Sequence, residues 1–280
     1  MGLARCALNP KTMQSKKYYI APAKKAKHIA IIGGGIGGME AAIVCAKRGH
    51  SVKLYEKSDC LGGVFLAAAA PDFKEKDKDL IAWYIRELSK YPITVQMNTE
   101  IKDVKALHAD EVIVATGAIA KQVPVKGSEH AIEAIDYLLG TKTVGENVVV
   151  VGGGLTGCEI AYELYLNGKK PVLVEMQDDL ITTKGICLAN SSYLRDFFKT
   201  NHVPVHLETS VVSIDAASVT FKDKTGKTFV VDADSVIMSV GYQPAPLAKK
   251  SSHVHVIGDA AKVGNLRTVI WGAWDICMKL

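Results

Sequence analysis

The chain has 280 residues, of which 48% are hydrophobic and 22% are charged, and its formal net charge is +5. A chain of this length can form two modest domains with real cores, and its scattered basic residues argue against a nucleic-acid-binding protein. No apolar run approaches the roughly 20 residues of a membrane span, so no membrane partner is expected. No secretory signal is visible and the cysteines form no CxxC pair, so a cytoplasmic protein is expected.

Residues 1–27 are predicted to form an irregular leader, because lysines and prolines interrupt any regular pattern there. The lysines are expected to be solvated. Residues 5–10 of this leader read RCALNP. Taken by itself, Cys6 is an ordinary thiol near a terminus.

The first motif of the chain occupies residues 28–56, which read HIAIIGGGIGGMEAAIVCAKRGHSVKLYE. Gly33, Gly35 and Gly38 fall in the GxGxxG pattern, in which the glycines permit a tight turn, close approach of a pyrophosphate and close packing of the helix. The free N–H groups at the start of that helix favour a diphosphate, and Glu56 is placed to accept hydrogen bonds from a ribose. The predicted bounds are residues 29–32 and 52–55 for the strands and about 39–47 for the helix.

The same motif occurs a second time in residues 147–175, which read NVVVVGGGLTGCEIAYELYLNGKKPVLVE. Here the glycines are Gly152, Gly154 and Gly157, and the terminal acid is Glu175. Two fingerprints predict two dinucleotide sites, which suggests electron transfer between a nicotinamide and a flavin. The predicted bounds are residues 148–151 and 172–174 for the strands and 158–166 for the helix.

The segment between the two motifs contains further small residues that suit a cofactor. Gly62 and Gly63 follow the first acid at a distance that suits a second backbone contact to the cofactor, and the small-residue turn at Thr116 and Gly117 can pass close to a ligand. The remaining predictions here are a helix over residues 79–89, with its aromatic residues in the core, and strands over residues 93–97 and 111–115.

The second half of the chain contains a crossover at residues 119–146 and then, after the second motif, a group of short strands. Those strands predict a small antiparallel sheet that covers the second domain. A buried strand ends at Gly241, and the last strand is followed by Gly258 and Asp259. The predicted bounds are residues 131–139 for a helix, 203–207, 211–214, 219–221, 228–231, 235–240 and 253–257 for strands, and 266–279 for the final helix.

This layout resembles the two-dinucleotide-binding-domain flavoproteins, also called the pyridine-nucleotide-disulfide oxidoreductase superfamily. The resemblance implies an α/β fold of two Rossmann-like, three-layer domains, with the NAD domain inserted in the FAD domain. It implies a FAD-binding domain at residues 28–118 and 242–280 and a NAD(P)-binding domain at residues 119–241.

The resemblance also assigns cofactor contacts residue by residue, and it assigns no catalytic side chain. Glu175 favours NADH over NADPH, because a carboxylate repels a 2′-phosphate, although Lys169 and Lys170 lie nearby and could soften that preference. The cofactor-binding residues that it implies are Gly33, Gly35, Ile36, Gly38, Glu56, Lys57, Gly62, Gly63, Ile101, Thr116, Gly117, Gly258 and Asp259, followed by Gly152, Gly154, Leu155, Gly157, Glu175 and Gly241.

Two features of the sequence indicate which branch of this superfamily the chain resembles. No cysteine pair follows Gly63, so thiol chemistry on thioredoxin or glutathione is not expected. Residues 5–10 are similar to the junction in Old Yellow Enzyme-like reductases, such as 2,4-dienoyl-CoA reductase, enoate reductases and trimethylamine dehydrogenase, in which a barrel carrying FMN precedes a 4Fe-4S cluster. Cys6 matches the last cluster cysteine, but one thiolate does not hold a cluster that needs four.

The expected function is therefore that of a C-terminal reductase module that passes hydride from NADH to FAD. Its electrons would leave to an acceptor domain, which in the full-length family is an FMN barrel with a 4Fe-4S cluster that reduces an enoate or a dienoyl-CoA. Two alternatives stay open. One is a docking domain that binds ADP without turnover, and the other is a stand-alone NADH oxidase or a ferredoxin or rubredoxin reductase.

Overall fold

The computed structural model describes residues 4–280, so the first three residues of the predicted leader lie outside the described residues. In chain order the strands are β1 His28–Ile32, β2 Ser51–Tyr55, β3 Ile93–Gln96, β4 Glu111–Val114, β5 Ala118–Ala120, β6 Ala131–Glu133, β7 Asn147–Val151, β8 Lys170–Val174, β9 Val205–His206, β10 Thr209–Ile214, β11 Ser218–Asp223, β12 Thr228–Asp232, β13 Ser235–Met238, β14 Tyr242–Pro244 and β15 Val254–Val256. The α-helices are α1 Ile36–Lys47, α2 Phe65–Ala68, α3 Glu75–Leu88, α4 Ala134–Leu138, α5 Leu155–Leu166, α6 Leu188–Thr200 and α7 Leu266–Cys277.

The chain divides into two compact units. Unit 1 comprises the described residues up to Ala69 together with Glu75–Ile119 and Tyr242–Leu280. Unit 2 comprises Ala70–Lys74 and Ala120–Gly241. The first glycine motif belongs to unit 1 and the second to unit 2. No helix among the described residues combines the length and the apolar character that crossing a membrane requires.

Unit 1 is built on a parallel sheet in the order β15-β4-β1-β2-β3. Alternate residues of β1 point to opposite faces of this sheet. Ile29 and Ile31 pack into one apolar cluster with residues of α1, α3 and α7. Ala30 and Ile32 pack into a second cluster with residues that follow β3 and β14. Both faces are covered, which explains why β1 reads as a continuous apolar run.

The leader is anchored to helix α7 of the same unit. The ring of Tyr18, which is only 1% exposed, makes edge contacts with Trp271 and Trp274. Its hydroxyl donates to Asp275 Oδ1 over 2.9 Å. Trp271 Nε1 also donates to the carbonyl oxygen of Cys6 over 3.1 Å. The described residues 4–27 contain no helix or strand, as predicted for this segment, and the aromatic contacts attach them to unit 1.

Unit 2 is built on a second parallel sheet, in the order β6-β13-β7-β8-β9. Val148 and Val150 of β7 pack with residues of α5 and α6. Val149 and Val151 pack on the other face against the antiparallel sheet β10-β11-β12, where Phe221 is fully buried. The expectation that short strands of the second half form a small covering sheet is confirmed.

Several predicted element bounds are wrong. Helices α1 and α5 begin at Ile36 and Leu155, not at residues 39 and 158. The predicted starts follow the third motif glycine, whereas that glycine lies inside the helix in both units. The predicted helix over residues 131–139 begins as strand β6, because these residues pair with β13 at the edge of the sheet. The predicted strand over residues 203–207 shortens to β9 and belongs to the parallel sheet.

A buried acid links three helices of unit 1. Glu40 of α1 is 6% exposed, and its Oε1 accepts a hydrogen bond from Trp274 Nε1 of α7. Burial raises the pKa of Glu40, while the hydrogen bonds from Tyr84 of α3 and from Trp274 oppose that rise. A carboxyl whose folded pKa is raised stabilises the fold below its unfolded pKa, and this stability is lost as the pH rises through the folded pKa.

We expect Glu40→Gln, which is neutral at every pH, to gain stability relative to the native protein between pH 5 and pH 8. The sign of the gain follows from the raised folded pKa of Glu40, and urea unfolding at the two pH values measures it. Glu100→Gln is the control, because Glu100 is exposed and its replacement should leave the pH dependence unchanged. Parallel pH dependences for Glu40→Gln and the native protein would contradict the expectation.

Candidate dinucleotide-binding sites

The first and third glycines of the motif in unit 1 are required by the fold itself. Gly33 has φ +106°, and a Cβ atom added there would lie closer than 3.0 Å to the carbonyl oxygen of Ala115. A Cβ atom added at Gly38 would lie closer than 3.0 Å to the carbonyl oxygen of Gly33. Protein backbone alone therefore explains these two glycines, whether or not a ligand binds.

The second glycine of unit 1 needs a different explanation. Gly35 has φ −71° and ψ 179°, which any residue adopts. The nearest atoms to an added Cβ are 3.9 Å away, in Gly62 and Gly63. Gly35 is the N-cap residue of α1, and it has no side chain that could accept from the N–H groups of the first turn. A diphosphate approaching this turn needs both features, so the turn fits the diphosphate of a dinucleotide.

The terminal acid of unit 1 is held rigidly. Glu56 is 7% exposed, and its Oε2 accepts the N–H of Gly34 over 2.6 Å. Its Oε1 accepts the N–H and the hydroxyl of Ser58 over 2.8 Å and 2.7 Å. Because a carboxylate offers about four acceptor positions, one position stays available for a ribose hydroxyl. The sequence did not indicate Ser58, whose only signal is a small hydroxyl two residues after the acid.

The glycine turn of unit 2 has the same geometry. Gly152 has φ +108°, and an added Cβ would lie closer than 3.0 Å to the carbonyl oxygen of Ser239. The third glycine, Gly157, is equally constrained by the carbonyl oxygen of Gly152. A Cβ added at Gly154 meets no atom within 4 Å, and its φ of −68° is ordinary. The second glycine is again free of packing constraints.

The terminal acid of unit 2 accepts fewer hydrogen bonds from the protein than the terminal acid of unit 1. Glu175 Oε2 accepts the N–H of Gly153 over 2.5 Å, and Oε1 accepts the N–H of Gln177 over 2.8 Å. Two of about four acceptor positions are therefore taken. Glu175 is also more exposed than Glu56. Both differences suit a carboxylate that receives two ribose hydroxyls.

A short segment after each acid closes over the glycine turn. We call residues 60–62 the closing turn of unit 1 and residues 179–181 the closing turn of unit 2. The N–H of Gly62 donates to the carbonyl oxygen of Gly34 over 3.0 Å, and the N–H of Ile181 donates to that of Gly153 over 2.8 Å. The second closing turn was missed in the sequence, although a leucine five residues after each acid marks it.

The other predicted contacts of unit 1 lie at strand ends. The sheet places β1, β4 and β15 side by side, so their carboxyl ends bring Gly33, Thr116 and Gly258 to the same edge. Thr116 Oγ1 donates to the carbonyl oxygen of Ala245 over 2.7 Å. Asp259 Oδ1 accepts the N–H of Gly264 over 3.0 Å, and burial raises the pKa of the Asp259 carboxyl. Gly117 has φ +75°, and an added Cβ there would meet open space.

Three apolar residues of the predicted set have packing roles. Ile36, the first residue of α1, is 5% exposed in the core of unit 1. Leu155, the first residue of α5, packs against the core of unit 2. Ile101 packs against the second apolar cluster of unit 1. Their side chains serve the fold, so any cofactor contact from Ile36 and Leu155 comes from the backbone at the helix start.

The last two predicted residues are exposed. Lys57 follows the acid of unit 1 and carries its charge in solvent. Gly241 has φ +89°, and its carbonyl oxygen accepts the N–H of Lys121 over 3.0 Å. The contact of each with a cofactor stays a prediction.

Two of the cysteines, Cys6 and Cys158, bear on the expected chemistry. All six cysteines are free thiols. The described residues contain no group of three His, Cys, Asp or Glu side chains that could hold a metal ion, so Cys6 has no partner ligands and a 4Fe-4S cluster does not fit this chain. Burial raises the pKa of Cys158 to about 12, assisted by the charge of Glu175. A thiol with such a pKa stays protonated and is a poor nucleophile.

The chain is similar to a known family and to curated relatives. Residues 27–267 match the family described as pyridine nucleotide-disulphide oxidoreductase. A cinnamate reductase from Clostridium sporogenes is 36% identical over 287 aligned positions, which cover 98% of this chain and 42% of the relative. An NADH oxidase from Thermoanaerobacter brockii is 33% identical, with 99% of this chain and 44% of the relative covered. The chain therefore spans less than half the length of these relatives.

Solved structures show the same fold. A 2-naphthoyl-CoA reductase complex superposes with a TM-score of 0.89 at 25% identity, covering 99% of this chain and 43% of that chain. Thioredoxin reductase of T. acidophilum superposes with a TM-score of 0.73 at 17% identity, covering 92% of this chain and 98% of that chain. The second match supports the fold alone, and the predicted α/β class with parallel sheets is confirmed.

Proposed function

The chain belongs to the pyridine nucleotide-disulphide oxidoreductase family of FAD- and NAD(P)H-binding proteins, and we propose that it is the NADH-dependent reductase module of a larger ene-reductase. In this proposal unit 1 binds FAD and unit 2 binds NADH. The electrons leave the module for an acceptor domain.

One observation carries this proposal. In each unit the first and third glycines are fixed by backbone collisions, whereas the second glycine, Gly35 or Gly154, has ordinary φ and room for a Cβ atom. No atom of residues 4–280 lies close enough to an added Cβ to require glycine at these two positions. A diphosphate that must approach the backbone does require it.

The binding residues have separate tasks. The N-termini of α1 and α5 supply N–H groups and the positive end of the helix dipole to a diphosphate. Glu56 and Glu175 accept hydrogen bonds from the adenosine ribose of each dinucleotide. Asp259 Oδ1 accepts the N–H of Gly264 just after β15, and the carboxyl can accept a further hydrogen bond from a ribityl hydroxyl of the flavin. Bound FAD supplies two-electron acceptance from NADH and onward donation of electrons, so the protein binds and orients without a catalytic side chain.

The simplest test uses the purified chain loaded with FAD under anaerobic conditions. We expect NADH to bleach the visible flavin absorbance in a stoichiometric titration. A colourless protein that binds ADP and retains no FAD would contradict the proposal and identify a docking domain instead.

The coenzyme preference is tested at Glu175. We expect Glu175→Arg to shift the ratio of kcat/KM for NADH over NADPH by about tenfold or more toward NADPH, because the carboxylate that repels a 2′-phosphate becomes a cation. Glu175→Gln keeps an acceptor for Gly153 and should shift the ratio less. A diaphorase assay with both coenzymes measures this, and an unchanged ratio in Glu175→Arg would remove the assignment.

The proposal for the acceptor rests on the relatives. The names of two of them, cinnamate reductase and 2-naphthoyl-CoA reductase, describe reduction of organic acids or their CoA esters. We therefore place this module beside a domain that reduces such a substrate, with Cys6 in the junction between them. Co-expression with that domain should give NADH-dependent reduction of the substrate, and the module alone should give none.

A second candidate, NADH oxidase, is favoured by the relative from Thermoanaerobacter brockii. It shares the first step and differs in the acceptor. Rapid oxygen consumption by the FAD-loaded chain with NADH, at a rate comparable to that with artificial acceptors, would favour it over the ene-reductase module.

A further inference from the structure

The two closing turns make the same contact with different residues. In unit 1 the residue that donates to the glycine turn is Gly62, whose φ is +122°. In unit 2 the equivalent residue is Ile181, whose φ is +52° and which is 5% exposed. A β-branched residue is strongly disfavoured in this left-handed region. The surrounding structure must therefore hold the closing turn of unit 2 in place.

One side chain contacts that turn at two points. Arg195 of α6 donates from Nε to Asp179 Oδ1 over 2.9 Å and from its terminal nitrogen to the carbonyl oxygen of Leu180. The same oxygen of Asp179 accepts the N–H of Leu180 over 2.7 Å. The arginine thus binds both a side chain and the backbone immediately before Ile181. These are charge-assisted hydrogen bonds, the stronger class in proteins.

The closing turn of unit 2 contacts the backbone of the second glycine motif and fixes its position. Ile181 donates to the carbonyl oxygen of Gly153, and the N–H of Gly153 donates to Glu175. Leu180 also packs so closely on Gly153 that an added Cβ there would lie closer than 3.0 Å to its side chain. A chain of contacts therefore runs from Arg195 through the closing turn to the residues beside the second glycine, Gly154.

We propose that Arg195 is a positioning residue for the NADH site. It holds the closing turn of unit 2 against Gly153. Unit 1 needs no such support, because Gly62 adopts a positive φ without strain. The inference rests on the proposed function of unit 2. It predicts that Arg195 contributes to nicotinamide dinucleotide affinity without touching the dinucleotide and without affecting FAD.

The test compares Arg195→Met with Lys199→Met in the FAD-loaded full chain. Both changes remove one positive charge, and Lys199 is exposed one turn further along α6. We expect Arg195→Met to weaken NAD⁺ binding, measured by isothermal titration, about tenfold, the size of one lost charge-assisted hydrogen bond. The KM for NADH should rise with it, while the limiting rate of flavin reduction and the FAD content stay unchanged. Lys199→Met should leave the affinity as in the native chain.

Two further variants separate positioning from general stability. Arg195→Lys keeps one donor, so its affinity should fall between those of Arg195→Met and the native chain. Ile181→Gly removes the backbone strain, so adding Arg195→Met to it should weaken binding less than in the native background.

Three results would contradict the positioning role of Arg195. A fall in melting temperature with unchanged NAD⁺ affinity in Arg195→Met would overturn the inference, as would full additivity of the two changes. A native FAD-loaded chain that binds no NAD⁺ would overturn the proposed function of unit 2 and the inference with it.

Discussion

Gly38→Ala is expected to destabilise unit 1 by about 3 kcal/mol or more and to abolish FAD binding. The added methyl group collides with the carbonyl oxygen of Gly33. The backbone fixes the positions of both the Cβ atom and this oxygen, so no side-chain rotation relieves the collision. Gly157→Ala should do the same to unit 2 through the carbonyl oxygen of Gly152. Urea unfolding and the FAD content of the purified protein measure the effect.

Gly272→Ala is the matched control for this collision. Gly272 lies inside α7, and an added Cβ there meets no atom within 4 Å. Alanine is favoured over glycine inside a helix by about 1 kcal/mol, so this variant should be slightly more stable than the native chain. A Gly38→Ala protein as stable as Gly272→Ala, with its FAD retained, would show that the close packing of α1 on the glycine turn is not required.

Gly35→Ala is expected to separate ligand binding from folding. The residue has an ordinary φ and room for a methyl group, so the free energy of unfolding should fall by less than about 1 kcal/mol, the cost of alanine at a helix N-cap. The same methyl group lies where the diphosphate must approach, and we expect FAD affinity to fall at least about 100-fold.

The measurement is a titration of the apoprotein with FAD by flavin fluorescence, alongside urea unfolding without FAD. The contrast with Gly38→Ala is the informative part, because one variant should lose the fold and the other only the ligand. Gly35→Ala that binds FAD as tightly as the native chain would mean that FAD does not use this turn.

The sequence predicted the α/β class and the position of both glycine turns because these signals are local. Each strand–turn–helix unit is contained in about thirty residues, and its glycines, apolar runs and closing acid follow one another along the chain. The same holds for the short strands that cover unit 2. Local patterns of this kind need no knowledge of the rest of the fold.

The errors arose where distant contacts decide the structure. Residues 131–139 carry a helical pattern, but the first three pair with β13 as an edge strand. Trp83 was expected in the core with Tyr84, yet Trp83 is 42% exposed and only Tyr84 is buried. In both cases the pattern of neighbouring residues was insufficient, since the partner lies elsewhere in the sequence.

The candidate sites show the same division. The sequence indicated the motif glycines, their separate tasks and the acids, but not the atoms that constrain the first glycine of each motif. Those atoms are the carbonyl oxygens of Ala115 and Ser239, which directly follow strands β4 and β13 and are distant in sequence from the motifs. The role of Arg195 was invisible for the same reason, because its contacts with the closing turn exist only after α6 has packed.

The most direct test of the two-site account is an anaerobic NADH titration of FAD-loaded Gly154→Ala beside the native chain. The account predicts that the variant stays yellow, is reduced by dithionite and is not bleached by NADH at concentrations that fully bleach the native chain. NADH bleaching equal to that of the native chain would show that unit 2 does not receive the nicotinamide dinucleotide. Loss of the flavin from this variant would contradict the assignment of FAD to unit 1.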